Sequence, residues 1–342
     1  MRSPLWAVLP GGIDDPAAPS GGNRYDRVVL SLLDRDVQEI AITGSWPSPG
    51  AAARSALDRA LTEIPDKSDV LLDGLVACGV PDLLEAHAER LRLIVLVHLP
   101  LADETGLSDA EAARLRAAER RTLHLAAVVV ATSEHAARQL AGMHDLDRVE
   151  VAAPGVDPAP PAQPSPAGDR LLCVASVIPR KGQDLLVTAL QEHLADLSWR
   201  CTFVGALTRP VAHTSPGIHF AGPRTGAGLD ASYADADLFV LPSRAETYGM
   251  VVTEALARGL PVLATEVGGV PEALGRAPDG SRPGALIPPG DPVALADALR
   301  GWLTDPEVRR GWRAAALGRR STLPGWSETA DRLTEILNGR QR

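Results

Sequence analysis

The sequence predicts an α/β protein built from two doubly wound parallel-sheet domains, and three observations carry that prediction. In each half, short apolar runs alternate with stretches of helical periodicity, the pattern of repeated βα winding. Between the halves, six prolines fall in the thirteen positions from Pro154 to Pro166, PGVDPAPPAQPSP; so dense a run suits neither sheet nor helix and reads as a semi-rigid linker. A length of 342 residues is long for one hydrophobic core and comfortable for two. The expected partition is a first domain at 1–156, a linker at 157–168, a second domain at 169–322, and a C-terminal helix within 323–342 able to pack back on the first domain. Two such Rossmann-like halves facing across a cleft would place ligands in that cleft.

Taken in order, Leu5 to Leu9 is a short strand, followed by the loop GGIDDPAAPSGG and a helix beginning near Asn23. Tyr25, Val28, Val29, Leu32 and Leu33 recur at i, i+3, i+4, i+7 and i+8, one apolar helical face. Strand-like Val37 to Ile42, a helix from Ala51 to Ile64, the strand DVLLDGLVA, a helix from near Asp82 to Arg90 and the strand RLIVLVH come next. The Ala/Arg-rich stretch from Asp109 to Thr122 is helical, then AAVVVATS is a strand, a helix runs to Leu140, and VEVAAPG closes the half. Beyond the linker the grammar repeats: strand RLLCVAS, a helix from Gln183 to Leu194, and strands CTFVG, IHFAG and LFVLPS. A short helix, the strand starting at Pro261, the strand ALIPPG, and helices from Val293 to Leu303 and Glu307 to Arg320 complete the second domain. The last helix starts after LPGW, with Ser327 as its expected N-cap.

The net charge of −9 argues against a general nucleic-acid or anionic-membrane binder. No apolar stretch approaches the roughly 18 residues of a membrane-spanning helix, and the N-terminus has neither the apolar length nor the cleavage site of a secretory signal. The three cysteines, Cys78, Cys173 and Cys201, are odd in number and lie in or beside apolar runs; they read as buried free thiols, which fits a reducing cytoplasm.

Four stretches carry candidate chemistry. From Asp237 to Gly269, DLFVLPSRAETYGMVVTEALARGLPVLATEVGG, two apolar strands flank a turn and a short helix, and Glu246 and Glu254 bracket the helix start. A turn at the carboxyl end of a parallel strand is where open α/β sheets bind ligands, and the amides of Gly249, Met250 and Val251, following Tyr248, would form an anion site at the helix N-terminus. Taken singly, either glutamate also reads as a solvated helix residue or a loop cap. Gly21-Gly22 precedes the first helix and offers unobstructed backbone amides, although a glycine pair is also simply a turn. His98 ends an apolar strand, where a side chain leaves the sheet for the cleft; a core histidine is the other reading. The remaining seven histidines fall in expected helices or loops without such placement. Finally, Arg180 and Lys181 in VASVIPRKGQDLL precede a helix, so two cations and a helix N-terminus would converge on one diphosphate; a solvated basic pair is the alternative.

These stretches, with E-x7-E after LPS and before a GLPV-type strand, resemble the retaining family 4 glycosyltransferases of the GT-B fold, actinobacterial in type and soluble. The resemblance runs in the family's order over nearly the whole chain. It implies a hexosyltransferase that moves a sugar from a UDP- or GDP-type donor to a small soluble acceptor, by same-face attack and without a metal or other cofactor. Glu254 would hold the ribose hydroxyls, Glu246 the donor sugar, and the base would rest near Gly222 in GPRTG. The glycine pair would reach the donor phosphate, and His98, as neutral imidazole, would line the donor and acceptor sites. Ser176 stands where the family usually has an arginine, and Arg180 is expected to substitute for it. Catalytic roles thus fall to His98, Arg180, Lys181 and Glu246. Asp235-Ala236-Asp237 has the metal-binding D-x-D form of the other large glycosyltransferase fold, but it sits at a helix-to-strand junction, and no metal ligand set is expected. Asp14-Asp15 reads as turn-capping, with acceptor recognition as the alternative. Rival functions are a nucleotide-sugar epimerase or other GT-B enzyme acting on the donor alone, and a non-catalytic nucleotide-sugar binding protein. A dinucleotide dehydrogenase is disfavoured, because no G-x-G-x-x-G follows a strand.

Overall fold

The computed structural model describes residues 3–15, 20–207, 211–213 and 215–339. Pro16 to Pro19 of the first loop and the last three positions of the expected C-terminal segment lie outside the described residues. The chain forms two compact units, one comprising the N-terminal segment to Pro154 together with the chain from Trp326 onward, the other Gly155–Gly325.

In the first unit the order is β1 (Leu5–Pro10), α1 (Gly21–Leu32), β2 (Val37–Ile42), α2 (Ala51–Glu63), β3 (Asp69–Asp73), α3 (Gly74–Ala77), α4 (Pro81–Glu85), β4 (Arg92–Val97), α5 (Asp109–Leu125), β5 (Val128–Ala131), α6 (Glu134–His144) and β6 (Glu150–Val151). All strands are parallel, in the spatial order β2-β1-β3-β4-β5-β6. β3 and β4 are buried almost throughout and their interiors are continuous apolar runs, as expected of strands covered on both faces; β2, at the edge, is one-third polar and half exposed. Leu57, Leu61, Leu72, Val76, Val95 and Leu140 belong to one apolar cluster between the sheet and its helices.

The second unit runs β7 (Arg170–Val174), α7 (Gln183–Thr188), β8 (Arg200–Val204), β9 (Ile218–Phe220), α8 (Gly226–Ala234), β10 (Leu238–Leu241), α9 (Met250–Ala257), β11 (Val262–Thr265), α10 (Val270–Leu274), β12 (Gly284–Ile287), α11 (Pro292–Thr304) and α12 (Pro306–Arg320). Its sheet is again parallel, ordered β12-β11-β10-β7-β8-β9. Pro292 and Pro306 at the first turns of α11 and α12, with Asp291 and Asp305 capping them, explain those two abrupt helix starts. The proline-rich segment has no regular structure and is fastened along this unit by Ala162 N–H to the Arg258 carbonyl (2.8 Å) and Ser165 to Asp237.

Helix α13 (Trp326–Leu337) packs on α1, where Trp326 meets Tyr25 edge-on at 5.9 Å between ring centroids. Ser327 lies inside this helix rather than capping it, because the first turn already begins at Trp326.

Other local expectations shift for identifiable reasons. The strand DVLLDGLVA stops at Asp73, whose side chain accepts from Leu75 N–H and caps α3. The helix expected from Asp82 to Arg90 ends at Glu85, and that expected to Leu194 passes at Ala189 into a π turn. His219 lies on β9, not in a helix or loop. The buried face of α1 is Tyr25, Asp26, Val29, Leu30 and Leu33; Leu32 is 47% exposed. The true face therefore includes a carboxylate, which the apolar pattern alone had skipped.

Asp235 and Asp237, the D-x-D pair, are engaged by cations of the protein itself. Asp237 is fully buried and accepts from Ser165 N–H (2.5 Å), the Ser165 hydroxyl (2.7 Å), Arg170 N–H and the Arg170 guanidinium (3.0 Å each). Burial works to raise its pKa, but these donors win and hold it below the ordinary value of 3.8. Its contribution is therefore present above the unfolded value and lost as the pH falls through the lower folded one. Asp237→Ala is expected to cost about 3 kcal/mol, since it strands a paired guanidinium. Asp235→Ala, which removes exposed pairs with Arg170 and Arg200, should cost under about 1 kcal/mol. Denaturant unfolding of both variants checks the contrast, and equal costs would refute it.

Candidate active site

Both sheets change winding direction at one point, and ligands of open α/β sheets bind outside the carboxyl ends of the strands there. In the first unit that point lies between β1 and β3, and in the second between β10 and β7. The residues singled out from the sequence cluster at these two places.

At the switch point of the second unit, β7 leads into Ser176 and a 3-10 turn, Pro179–Lys181, while β10 leads into Ser243, Glu246 and α9. Gly182 (φ +66°) passes so close to β10 that a Cβ there would lie 2.0 Å from the Pro242 carbonyl oxygen. Arg244 N–H donates to the Arg180 carbonyl at 2.7 Å and ties the two loops together. Lys181 and Glu246 are thereby brought into contact: Nζ lies 2.6 Å from Oε1, which also accepts from the Ser243 hydroxyl at 2.8 Å. Arg180 Nη1 is 3.9 Å from the other oxygen of Glu246, and its buried Nε has no hydrogen-bond partner among the described residues. Gly268 (φ +52°) closes the floor, packed on the Glu246 carbonyl.

Gly249 (φ +93°) turns the chain into α9, so the first amides of the helix, at Met250 and Val251, begin beside this group. Tyr248 is buried, and burial pushes its hydroxyl up to about 12; its side chain belongs to the wall. Glu254 lies one turn into α9 and is held by Tyr233, whose hydroxyl donates to Oε2 at 2.9 Å. Tyr233 is itself fully buried beneath the Arg258 guanidinium, 4.5 Å from the ring centre. Ser176 accepts through its carbonyl from Gln183 at 3.0 Å, and the Gly222 carbonyl accepts from Gly205 N–H at 3.0 Å. Ser176 and Gly222 thus follow the ends of β7 and β9, the two strands that flank β8, Gly222 at a left-handed turn (φ +72°).

At the switch point of the first unit, Gly21 and Gly22 form the first turn of α1 rather than preceding it, with Ser20 as the cap. A Cβ on Gly22 would lie 3.1 Å from the His98 ring, so the small residue lets the helix start approach the end of β4. His98 Nε2 is 2.8 Å from Asp26 Oδ1, and Tyr25 packs edge-on to the ring at 5.2 Å. Asp73, at the end of β3, completes a group with Asp26 and His98, the carboxylates buried and the ring partly so, whose nearest ligand-type atoms all lie within 4.8 Å of one another. Burial works to lower the His98 pKa, but Asp26 and then Asp73 raise it to about 9. These surroundings favour the imidazolium over the neutral imidazole the sequence reading assumed. Asp26 and Asp73 were missed in the sequence. Their signals were a carboxylate at i and i+3 from Val29 on the buried face of α1, and another closing an apolar strand. Asp14 is bound by Arg27 through Nε at 2.7 Å, which gives that loop acid a structural partner.

Comparison with known proteins places this geometry in a family. Residues 168–305 match the family described as Glycosyl transferases group 1. A D-inositol 3-phosphate glycosyltransferase of an Arthrobacter species is 32% identical over 91% of this chain and 88% of its own. The chain belongs to the group 1 glycosyl transferases. Another protein of that name, from Kineococcus radiotolerans, is 32% identical over 64% of this chain. That match spans only 58% of the relative's length, and one in Frankia alni spans 52%. Among solved structures, a sucrose-phosphate synthase from Thermosynechococcus elongatus superposes with a TM-score of 0.78 at 19% identity, covering 99% of both chains. Anabaena HepE in complex with UDP and glucose superposes at 0.71 with 18% identity, covering 98% of this chain and 99% of that one. These neighbours establish the GT-B class of α/β fold for this member of the family.

Proposed function

We propose that the protein is a retaining glycosyltransferase that takes a sugar from a UDP- or GDP-type donor, without a metal, and passes it to a small acceptor. The observation that carries the reading is the Lys181–Glu246 contact at 2.6 Å, beside Arg180 and the start of α9. As the glycosidic bond breaks, charge builds on the leaving diphosphate, and fixed cations and helix amides are the groups that stabilise it. Lys181 and Arg180 meet the diphosphate, Glu246 accepts from sugar hydroxyls, and Glu254, oriented by Tyr233, accepts from the ribose cis-diol. The acceptor attacks from the face the diphosphate leaves, and a diphosphate oxygen takes its proton, so no enzyme nucleophile is needed. The relatives named for D-inositol 3-phosphate make an inositol phosphate the first acceptor to try.

The test is product analysis with a panel of UDP- and GDP-sugars, with chelator and with added divalent metal, with and without inositol phosphate. Glycosylated acceptor in chelator supports the reading. Donor epimerised without acceptor, no turnover with binding only, or strict metal dependence would each replace it. Glu254→Ala is expected to weaken nucleotide binding by roughly 10- to 100-fold, the loss of hydrogen bonds to a charged acceptor. Calorimetry with UDP and GDP measures it, and unchanged affinity for the preferred nucleotide removes Glu254 from the site.

A further inference from the structure

We propose that Asp26 and Asp73 share a single proton and together hold His98 as a fixed imidazolium, which makes both of them positioning residues for the candidate active site. Only the kinetic arm of the test below rests on the transferase reading.

The geometry comes first. Asp26 is 3% exposed and Asp73 5% exposed. Asp26 has one oxygen on His98 Nε2, while its second, Oδ2, is buried without a donor from any other described residue. Asp73 uses one oxygen to cap α3 through Leu75 N–H, and a carboxylate oxygen of it lies within 4.8 Å of one of Asp26. Two buried carboxyl groups this close are not both ionised below about pH 7, because like charges at that range in a poorly solvated site oppose loss of the second proton. One proton between them supplies the donor that Oδ2 otherwise lacks. The remaining negative charge is balanced by the imidazolium, so the group is neutral as a whole.

Its electrostatics agree. Burial, and then the Asp26 charge, raise Asp73 from 3.8 to about 7, and His98 stands at about 9. The charges acting on His98 come from Asp26 on α1 and Asp73 at the end of β3; Tyr25 on α1, titrating far above neutrality, is uncharged. Both raised groups bind their proton more tightly when folded. Their contribution to stability is thus complete in acid, and it falls as the pH rises, through about 7 for Asp73 and about 9 for His98. With Nε2 committed to Asp26, Nδ1–H has no protein acceptor among the described residues. His98 therefore presents a cationic donor, which suits a phosphate or other acceptor oxygen better than a hydroxyl proton.

The experiment is an NMR titration of the full chain with labelled histidine, from pH 5 to 10. His98 is expected to titrate near 9, with a second inflection near 7 reporting Asp73. Asp26→Asn should bring the histidine down by about two pH units, toward its ordinary 6.5. Asp73→Asn should lower the histidine less than Asp26→Asn does and abolish the step near 7; a step near 7 that persists in Asp73→Asn also overturns the proposal. Wild-type titration at 6.5, or no change in Asp26→Asn, overturns the proposal; should that variant fail to fold, the wild-type curve and Asp73→Asn decide alone. Calorimetry with Zn²⁺ and Mn²⁺ is the other arm: tight binding lost in both variants would make the group a metal site and overturn the shared proton. If turnover is found, the alkaline limb of kcat should lie near 9 in the wild type and move down in Asp26→Asn. Absence of turnover with the expected NMR result leaves this inference standing and removes only the proposed function.

Discussion

Lys181→Ala is expected to lower kcat by about 10²–10³-fold, the scale for removing one fixed electrostatic stabiliser of a transition state, while the donor KM changes far less. The reason is where the charge appears. In the ground state the ammonium of Lys181 is already satisfied by Glu246 at 2.6 Å, so bound donor gains little from it. When the glycosidic bond lengthens, the diphosphate acquires charge, and the cation held at the start of α9 interacts more strongly with it than before. Removing it also leaves Glu246, whose side chain is 6% exposed, with Ser243 and a guanidinium nitrogen 3.9 Å away. A modest loss of stability should accompany the kinetic loss. Steady-state kinetics with the preferred donor, beside calorimetry for donor affinity, separates the two. A variant with unchanged kcat and weakened affinity would assign Lys181 to ground-state binding.

Gly268→Ala is expected to be the most damaging single-methyl change in the second unit, costing about 3 kcal/mol or more and abolishing donor binding. At φ +52° an alanine already carries a backbone penalty of about 1–3 kcal/mol. Its Cβ would also fall 1.5 Å from the Glu246 carbonyl oxygen. Backbone cannot yield as a flexible side chain would, so the Glu246 loop must move away from Lys181. Gly290→Ala is the control: its φ is +76°, but a Cβ there meets nothing within 4 Å, so only the backbone term applies. Thermal unfolding and nucleotide binding of both variants measure the difference. Equal behaviour would show that the close approach is not what Gly268 is there for.

Much of this was legible before any coordinates. Buried parallel strands announce themselves as unbroken apolar runs, and both sheets were readable from Val70 to Leu72, Leu93 to Val97 and Leu238 to Leu241. The strand ends then point to candidate sites, because ligands collect at the carboxyl ends of parallel strands, and the family resemblance supplied the expected roles. That is why His98, Lys181, Glu246 and the start of α9 could be named in advance. Less legible were elements whose ends depend on one local hydrogen bond, such as Asp73 converting the tail of a strand into α3.

What the sequence by itself determined is the alternation of strand and helix, the two-sheet architecture and the strand-end positions of the candidate residues, because hydrophobic periodicity is local. Only the tertiary structure decided which of those residues meet. Lys181 and Glu246 lie far apart in sequence, as do Asp26, Asp73 and His98, and no periodicity encodes contacts of that range. It also decided what surrounds His98: the residue type offers a ring that titrates near neutrality, and the carboxylates that fold around it raise its pKa.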